Sequence, residues 1–225
     1  MGRGILCLFC MVLGSWALSE LTAAETVKRP RERLYFPSGK FICQSALGFR
    51  ELAADYLWFQ TIQYYGSYRK GQHDLTYFQG LVDAVTQLDP RFVEAFRFSS
   101  LVLSFDMGSF DAGIDMLKRG ILANPREWIL PFEVGFIFYV FKRDYARASM
   151  WFDAAAAVPG APEFAHRFAA FSHKCAGNLE VSLVLWQNLA ETTISPHMRS
   201  VAERMIAQIQ ELAAASELEA QAGDR

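Results

Sequence analysis

Apolar residues recur along this chain in helical runs that are separated by turns and repeat every 34 or 35 residues. The same place in successive runs is taken by a large apolar side chain: Val82, Leu117, Phe152 and Trp186. The segments that close the units keep this step and end on Pro90, Pro125 and Pro159. A period near 34 is typical of stacked helix-turn-helix units, which bury their apolar faces only against one another. The pattern therefore predicts an all-α solenoid.

The runs divide into four helical hairpins over residues 45–194. The first helix, 45–68, carries apolar residues on more than one face, which is typical of a helix packed between neighbours. Asp74 is the candidate N-cap of the second helix, which ends near Leu88. Further helices are predicted at 92–105, 110–123, 127–141, 145–158, 162–176 and 179–192. Small residues are expected to meet where helices cross: Ser100 and Gly113, Gly135 and Ala148, Ala170 and Ser182.

Residues 195–225 predict a capping helix and a frayed tail. Ser195-Pro196 has the residue types favoured at a helix N-cap and first turn. One narrow apolar stripe follows, as expected for a terminal helix with a single neighbour: Met198, Val201, Met205, Ile209 and Leu212. Beyond Ala215 the chain is rich in Glu, Ala and Gln, which favours fraying.

The second helix of one hairpin carries a recognisable motif. Its sequence is Asp144-Tyr145-Ala146-Arg147-Ala148, followed by Phe152 and Ala155. This motif resembles the second helix of the tetratricopeptide repeat (TPR) family. The resemblance extends over about residues 74–192, and the sequence departs from the family pattern at Pro131 and Leu189. The stretch 53–58 with 96–98 also resembles exported bacterial members of that family. The resemblance implies a right-handed, TPR-like helix-turn-helix solenoid that binds a protein or peptide on a concave face lined by the first helices.

Helical spacing places a candidate set of partner-binding residues on that face. The set is Arg97, Leu101, Phe105, Phe132, Phe136, Tyr139, Arg167, Phe171 and Lys174. Aromatic side chains beside three cations suit an extended or helical peptide with apolar anchors and acidic character. In the alternative interpretation the aromatic residues belong to the core, and Arg167 and Lys174 lie on a solvated surface.

Asp55 lies among apolar residues of the first helix, where an unpaired carboxylate would be costly to bury. We expect Asp55 to form a structural pair with Arg97 of the next first helix, with Glu133 as a rival partner for that arginine. The alternative is that Asp55 simply points to solvent.

Composition narrows the classes of function. The chain has 225 residues, of which 52% are hydrophobic, enough for a sizeable core. Its net charge of −2 gives no indication of nucleic acid as a partner. No catalytic, nucleotide-binding or metal-binding motif is present, and His166 and His173 are too far apart for a one-turn ligand pair. We expect no enzymatic activity, no catalytic or metal site, no cofactor and no small-molecule substrate.

The N-terminal residues predict export. Residues 1–24 combine an early arginine, an apolar run and small residues before Glu25, which is typical of a cleaved signal peptide. Residues 25–44 form a basic leader, expected to be exposed, which leaves peripheral membrane association possible. The predicted location is the periplasm; the alternative is an inner-membrane anchor formed by an uncleaved N-terminal segment. After cleavage only Cys43 and Cys175 remain, expected as buried or half-buried thiols.

Two functions from different classes fit this sequence. The first is an extracytoplasmic scaffold or adaptor that binds a partner on the concave face. The second is a permanent structural subunit of a membrane-associated envelope complex, packed through the aromatic N-terminal repeat. The sequence does not name the partner in either case.

Overall fold

The computed structural model describes the backbone of residues 48–223 and the side chains of residues 48–215. These residues belong to one structural unit of the chain, Pro37–Arg225. The predicted signal peptide, the basic leader and Cys43 lie outside the described residues. Nine α-helices and no strand are found in the described part, which confirms the all-α class.

The helices alternate with short turns. They are α1 (Arg50–Arg69), α2 (Phe78–Leu88), α3 (Val93–Phe105), α4 (Phe110–Ala123), α5 (Ile129–Phe136), α6 (Tyr145–Ala156), α7 (Glu163–Cys175), α8 (Leu179–Thr192) and α9 (Pro196–Gly223). A π-helical segment, Ile137–Lys142, continues α5 without a break. No helix of the described residues is both long and apolar enough to cross a bilayer.

Each helix packs mainly against the helices before and after it in the chain. The hairpins are α1–α2, α3–α4, α5–α6 and α7–α8, and α9 packs on α8. First helices of successive hairpins also touch: the Trp58 and Phe98 rings are 5.5 Å apart, and the Phe132 and Phe168 rings 5.2 Å. Contacts between neighbours in sequence, repeated along the chain, are those of a helical solenoid.

Local sequence explains where helices begin. The Ser109 hydroxyl accepts the Ala112 N–H at 3.3 Å, and the Asp144 carboxylate accepts the Arg147 N–H at 2.8 Å. Both are N-cap bonds that satisfy a free backbone donor. The backbone and side-chain hydrogen bonds from Arg147 hold the pKa of Asp144 below its ordinary value.

The core follows the repeat. The four residues that recur at the 34–35 step, Val82, Leu117, Phe152 and Trp186, are all essentially inaccessible to solvent. The repeated position in the sequence is therefore a repeated buried position in the structure.

Small residues allow the helices of a hairpin to approach. A Cβ added at Gly113 would lie 2.9 Å from the Ser100 carbonyl oxygen, and the Ser182 hydroxyl donates to the Ala170 carbonyl at 2.7 Å. A Cβ added at Gly135 would lie 2.8 Å from the ring of Phe152 on α6. Small residues therefore lie where these helices approach one another, as the sequence predicts for Gly113 with Ser100 and for Ser182 with Ala170.

Two helices begin later than the sequence suggests. Gly48 has a φ of +93°, which lies outside the right-handed helical region, and α1 begins at Arg50. Asp74 accepts the Thr76 N–H at 3.0 Å and caps a turn, while α2 begins only at Phe78. At the other end the helical backbone of α9 continues to Gly223, beyond the predicted onset of fraying after Ala215.

Candidate partner-binding face

Three first helices expose an apolar side chain at the same position of the repeat. Leu101 on α3, Phe136 on α5 and Phe171 on α7 are spaced by 35 residues and are 50%, 39% and 36% exposed. Large apolar side chains are usually buried in a helical domain, so three exposed ones in register are unusual. They form the first row of a surface that we call the first-helix face.

A second row lies one helical turn further along. Phe105 is half exposed, and its ring is 4.9 Å from that of Phe141 on the next first helix. Phe110 at the start of α4 stacks on Phe141 with ring centres 5.1 Å apart. Val140 and Phe141 are themselves exposed. The first-helix face thus comprises Leu101, Phe105, Phe136, Val140, Phe141 and Phe171.

The π-helical segment builds this second row. The segment Ile137–Lys142 is π-helical, and a π-turn holds one residue more than an α-turn. It places Val140 and Phe141 side by side after Phe136, at the height of Phe105. The sequence predicted an ordinary helix over 127–141, because a π-helical run of 6 residues is too short to be told from an α-helical one by its apolar spacing.

Phe132 and Tyr139 lie below the face instead of on it. Both are half-buried, and the Phe132 ring contacts those of Phe152 and Phe164 at 5.1 and 5.2 Å. Tyr139 packs against Phe168 and Phe171, and burial, together with the Cys175 thiol, raises its pKa to about 12. For these two predicted residues the core interpretation describes the contacts better, and they support the exposed rings above them.

The predicted pair between Asp55 and Arg97 is wrong. Arg97 donates from Nε to Glu133 Oε1 at 2.7 Å and from its terminal nitrogen to Glu94 at 2.9 Å. The rival partner Glu133 therefore holds the arginine, on the neighbouring first helix. Asp55 is exposed on α1, where water solvates the carboxylate and no buried partner is needed.

The electrostatics of this ion pair follow from its partial burial. Burial acts to lower the pKa of Arg97, but the hydrogen bond and charge of Glu133, with help from Glu94, raise it overall. Burial also raises the pKa of Glu133 despite the neighbouring arginine. The cation of Arg97 is thus matched by two carboxylates before any partner arrives.

The other two predicted cations differ from Arg97. Arg167 is half-buried and forms no ion pair among the described residues. The Lys174 ammonium donates to the Gln208 amide oxygen at 3.2 Å and lies 5.9 Å from the Phe171 ring centre. Both lie within one turn of Phe171, so the uncompensated positive charge of the first-helix face is on α7.

The structure also exposes residues that the sequence interpretation did not. Cys175 is an exposed free thiol, because α7 turns it outward at the end of the second row. On α1, a stripe that we call the α1 stripe is solvent-exposed: Phe49, Leu52, Tyr56 and Phe59, at 69%, 67%, 66% and 57%. The buried face of α1 is instead formed by Ala54, Leu57, Thr61 and Tyr64. Within the described residues α1 is therefore packed on one side only.

Comparisons with known proteins find likeness among solved structures and not among sequences. No family profile and no curated protein sequence matches this chain. Among solved structures, the crystal structure of MamA matches with 15% identity and a TM-score of 0.42, over 68% of this chain and 95% of MamA. A TM-score this low carries no argument beyond what the helices of this chain show by themselves.

Proposed function

We propose that this chain is a protein-binding scaffold that holds a partner protein or peptide on the first-helix face. The observation that supports it is the row of Leu101, Phe136 and Phe171, exposed at one position of three successive repeats. Burying such a row against a partner removes apolar surface from water at a gain of about 25 cal/mol for each Å². Pre-formed helices carry these side chains, so little ordering opposes binding.

In-cell photocrosslinking tests this proposal. A photoreactive residue replaces Phe136, and mass spectrometry identifies the adducts. We expect one recurrent protein, lost when Leu101→Glu and Phe171→Glu are combined. Leu122 on α4 is the matched control, because it is 84% exposed but lies on a second helix, and a probe or a glutamate there should change nothing. Equal adducts from Leu122 and Phe136 would contradict the proposal.

We further propose that the chain works outside the cytoplasm. The support is the pattern of residues 1–24, with a cleavage site expected before Glu25. Fractionation followed by mass spectrometry of the intact protein is the test. A periplasmic product that starts at Glu25 supports export with cleavage. A membrane-bound product that keeps residues 1–24 supports the anchored alternative, and a cytoplasmic one contradicts both.

A specific observation favours a second candidate function, that of a permanent subunit packed through α1. The α1 stripe has the 3–4–3 spacing of one helix face and is more exposed than the first-helix face. We expect a photoreactive residue at Tyr56 to capture a stable partner if this function holds. The double variant Leu52→Glu/Phe59→Glu should then lose that partner, while crosslinking from a photoreactive residue at position 136 should be unchanged.

A further inference from the structure

The two rows of the first-helix face are spaced like the turns of a helix. Axes of packed neighbouring helices lie about 8–10 Å apart, so successive members of a row lie roughly that far apart. Along an α-helix, seven residues advance about 10.5 Å and make two turns. A helix laid across α3, α5 and α7 would therefore place one apolar residue per heptad over Leu101, Phe136 and Phe171.

The second row of the first-helix face would contact the second apolar position in each heptad of such a ligand helix. Phe105, the Val140–Phe141 pair and Cys175 follow the first row by one turn on each helix. In a heptad the two apolar positions form two adjacent lines along one helix face. Two parallel rows on the receiving surface thus correspond to two lines on the ligand.

Extended chains fit this surface less well. A β-strand advances about 3.3 Å per residue, so a step near 10 Å takes three residues and turns the side chain to the opposite face. A polyproline II helix returns to the same face every three residues, after about 9.3 Å. Its three lines of side chains stand about 120° apart around the axis, however, so a line that covers the first row directs its neighbours away from the row of Phe105 and Phe141.

Charge distinguishes the two ends of the surface. At α3 the guanidinium of Arg97 is already bonded to Glu94 and Glu133. At α7 the cations of Arg167 and Lys174 flank Phe171 and have no ion pair among the described residues. Acidic side chains of a ligand would be stabilised over α7 and repelled by Glu94 over α3.

We propose that the occupant of the first-helix face is an amphipathic helix with a heptad of apolar residues, whose acidic end lies over α7. This inference rests on the proposed scaffold function and specifies its partner. Of the extended and helical peptides that the sequence left open, it selects the helical one, and it confines the acidic residues to one end because one of the three cations, Arg97, is neutralised within the protein.

Synthetic peptides test the inference on the full chain. The probe is a peptide three heptads long, with leucine at both apolar positions and glutamates confined to one terminal heptad, used below its self-association concentration. One control peptide has the same composition in scrambled order, and another carries leucine at every third position of a proline-rich sequence. We expect the heptad peptide to bind at least tenfold more tightly than either control and to become helical on binding by NMR.

Variants of the protein locate the binding. Leu101→Glu should abolish binding of the heptad peptide, and Leu52→Glu on the α1 stripe should not. Arg167→Glu with Lys174→Glu should weaken binding about tenfold, whereas Lys118→Glu on α4 serves as a charge control without effect. Equal binding of the control peptides, or no effect of Leu101→Glu, would overturn the inference.

The crosslinking experiment separates this inference from the scaffold proposal. If the Phe136 adduct maps to a partner segment that lacks a heptad or is not helical as a bound peptide, the helix inference fails and the scaffold proposal stands. If Phe136 captures no protein and no peptide binds, both fail. A captured heptad segment that binds as a helix supports both.

Discussion

At the residue scale, one backbone position recurs at the turn of every hairpin. Gly71, Gly108 and Gly177 have positive φ values of 71°, 71° and 84°, and Arg143 takes the same left-handed conformation at 50°. Left-handed backbone costs a non-glycine residue roughly 1–2 kcal/mol. The chain keeps an arginine where the other hairpins have glycine, so the third hairpin carries local strain.

Replacing that arginine should therefore stabilise the protein. We expect Arg143→Gly to raise the free energy of unfolding by about 0.5–1 kcal/mol. Relief of the strain in the folded protein stabilises it, and this gain exceeds the loss caused by the greater freedom of glycine in the unfolded chain. Urea unfolding followed by circular dichroism measures it. The matched reverse change is Gly177→Ala, which meets open space and should destabilise by about 1 kcal/mol through strain alone. A loss of stability in Arg143→Gly would contradict this account.

The ion pair of Arg97 gives a second prediction at this scale. Glu133→Ala should lower the free energy of unfolding by about 1 kcal/mol, because it removes a charge-assisted hydrogen bond from a half-buried arginine. Asp55→Ala, on the exposed side of α1, should change it by less than about 0.5 kcal/mol. Thermal and urea unfolding of the two variants side by side decide this. A larger effect at Asp55 would restore the pair with Arg97 that the structure rejects.

At the element scale, glycines set how closely helices pack. An added Cβ at Gly120 would lie 2.9 Å from Phe96, and one at Gly135 would lie 2.8 Å from Phe152. Both aromatic partners are buried, so neither ring has free space into which to move. These glycines are required by the neighbouring helix and not by their own backbone conformation.

Alanine scanning of glycines should therefore give opposite signs on different helices. Gly135→Ala should destabilise by about 1–3 kcal/mol through overpacking against Phe152. Gly80→Ala, in the exposed first turn of α2 with nothing within reach of its Cβ, should stabilise by about 0.5 kcal/mol through helix propensity. Differential scanning calorimetry measures both. Effects of the same sign would show that propensity, and not interhelical distance, governs position 135.

At the scale of the whole described unit, each helix depends on its neighbours in sequence. Ile209 of α9 is buried with Ala170, Trp186, Leu189 and Ala202, and none of these residues contributes to the hairpins at the other end. In a structure held together by neighbour contacts, a defect should loosen the adjoining units first.

Hydrogen exchange can test that locality. Ile209→Ala should cost about 2–5 kcal/mol and reduce amide protection in α7, α8 and α9 more than in α3 and α4. Leu212→Ala, at a half-exposed position of the same helix, should cost less than about 0.5 kcal/mol and leave the protection pattern unchanged. A uniform loss of protection along the chain for Ile209→Ala would indicate a single cooperative core instead.

Some elements were predictable because their determinants are local. The bounds of α4 and α8 agree with those expected from the sequence, since apolar spacing and the turn at their starts act within a few residues, and at α4 the Ser109 N-cap adds a local hydrogen bond. The start of α1 was misplaced, because the positive φ of Gly48 is a backbone choice that the apolar pattern does not reveal.

The candidate site was predictable to a smaller degree. Leu101, Phe105, Phe136 and Phe171 are exposed where spacing placed them, but Phe132 and Tyr139 are covered by rings from other helices. Amphipathic spacing gives the direction of a side chain from its own helix. It does not tell how far the side chains of the neighbouring hairpin extend over that residue, and this decides how much of the side chain is exposed to solvent.

The sequence by itself determined the repeat, the all-α class, the buried residue of each unit and the small residues at helix crossings, because these follow from periodicity and local backbone preferences. Only the tertiary structure decided that Glu133 pairs with Arg97, that a π-turn builds the second row, and that α1 leaves one apolar face uncovered. The ion pair depends on a contact between residues 36 positions apart in sequence, and the exposure of the α1 stripe depends on which described helices pack against α1. No pattern within a single helix encodes them.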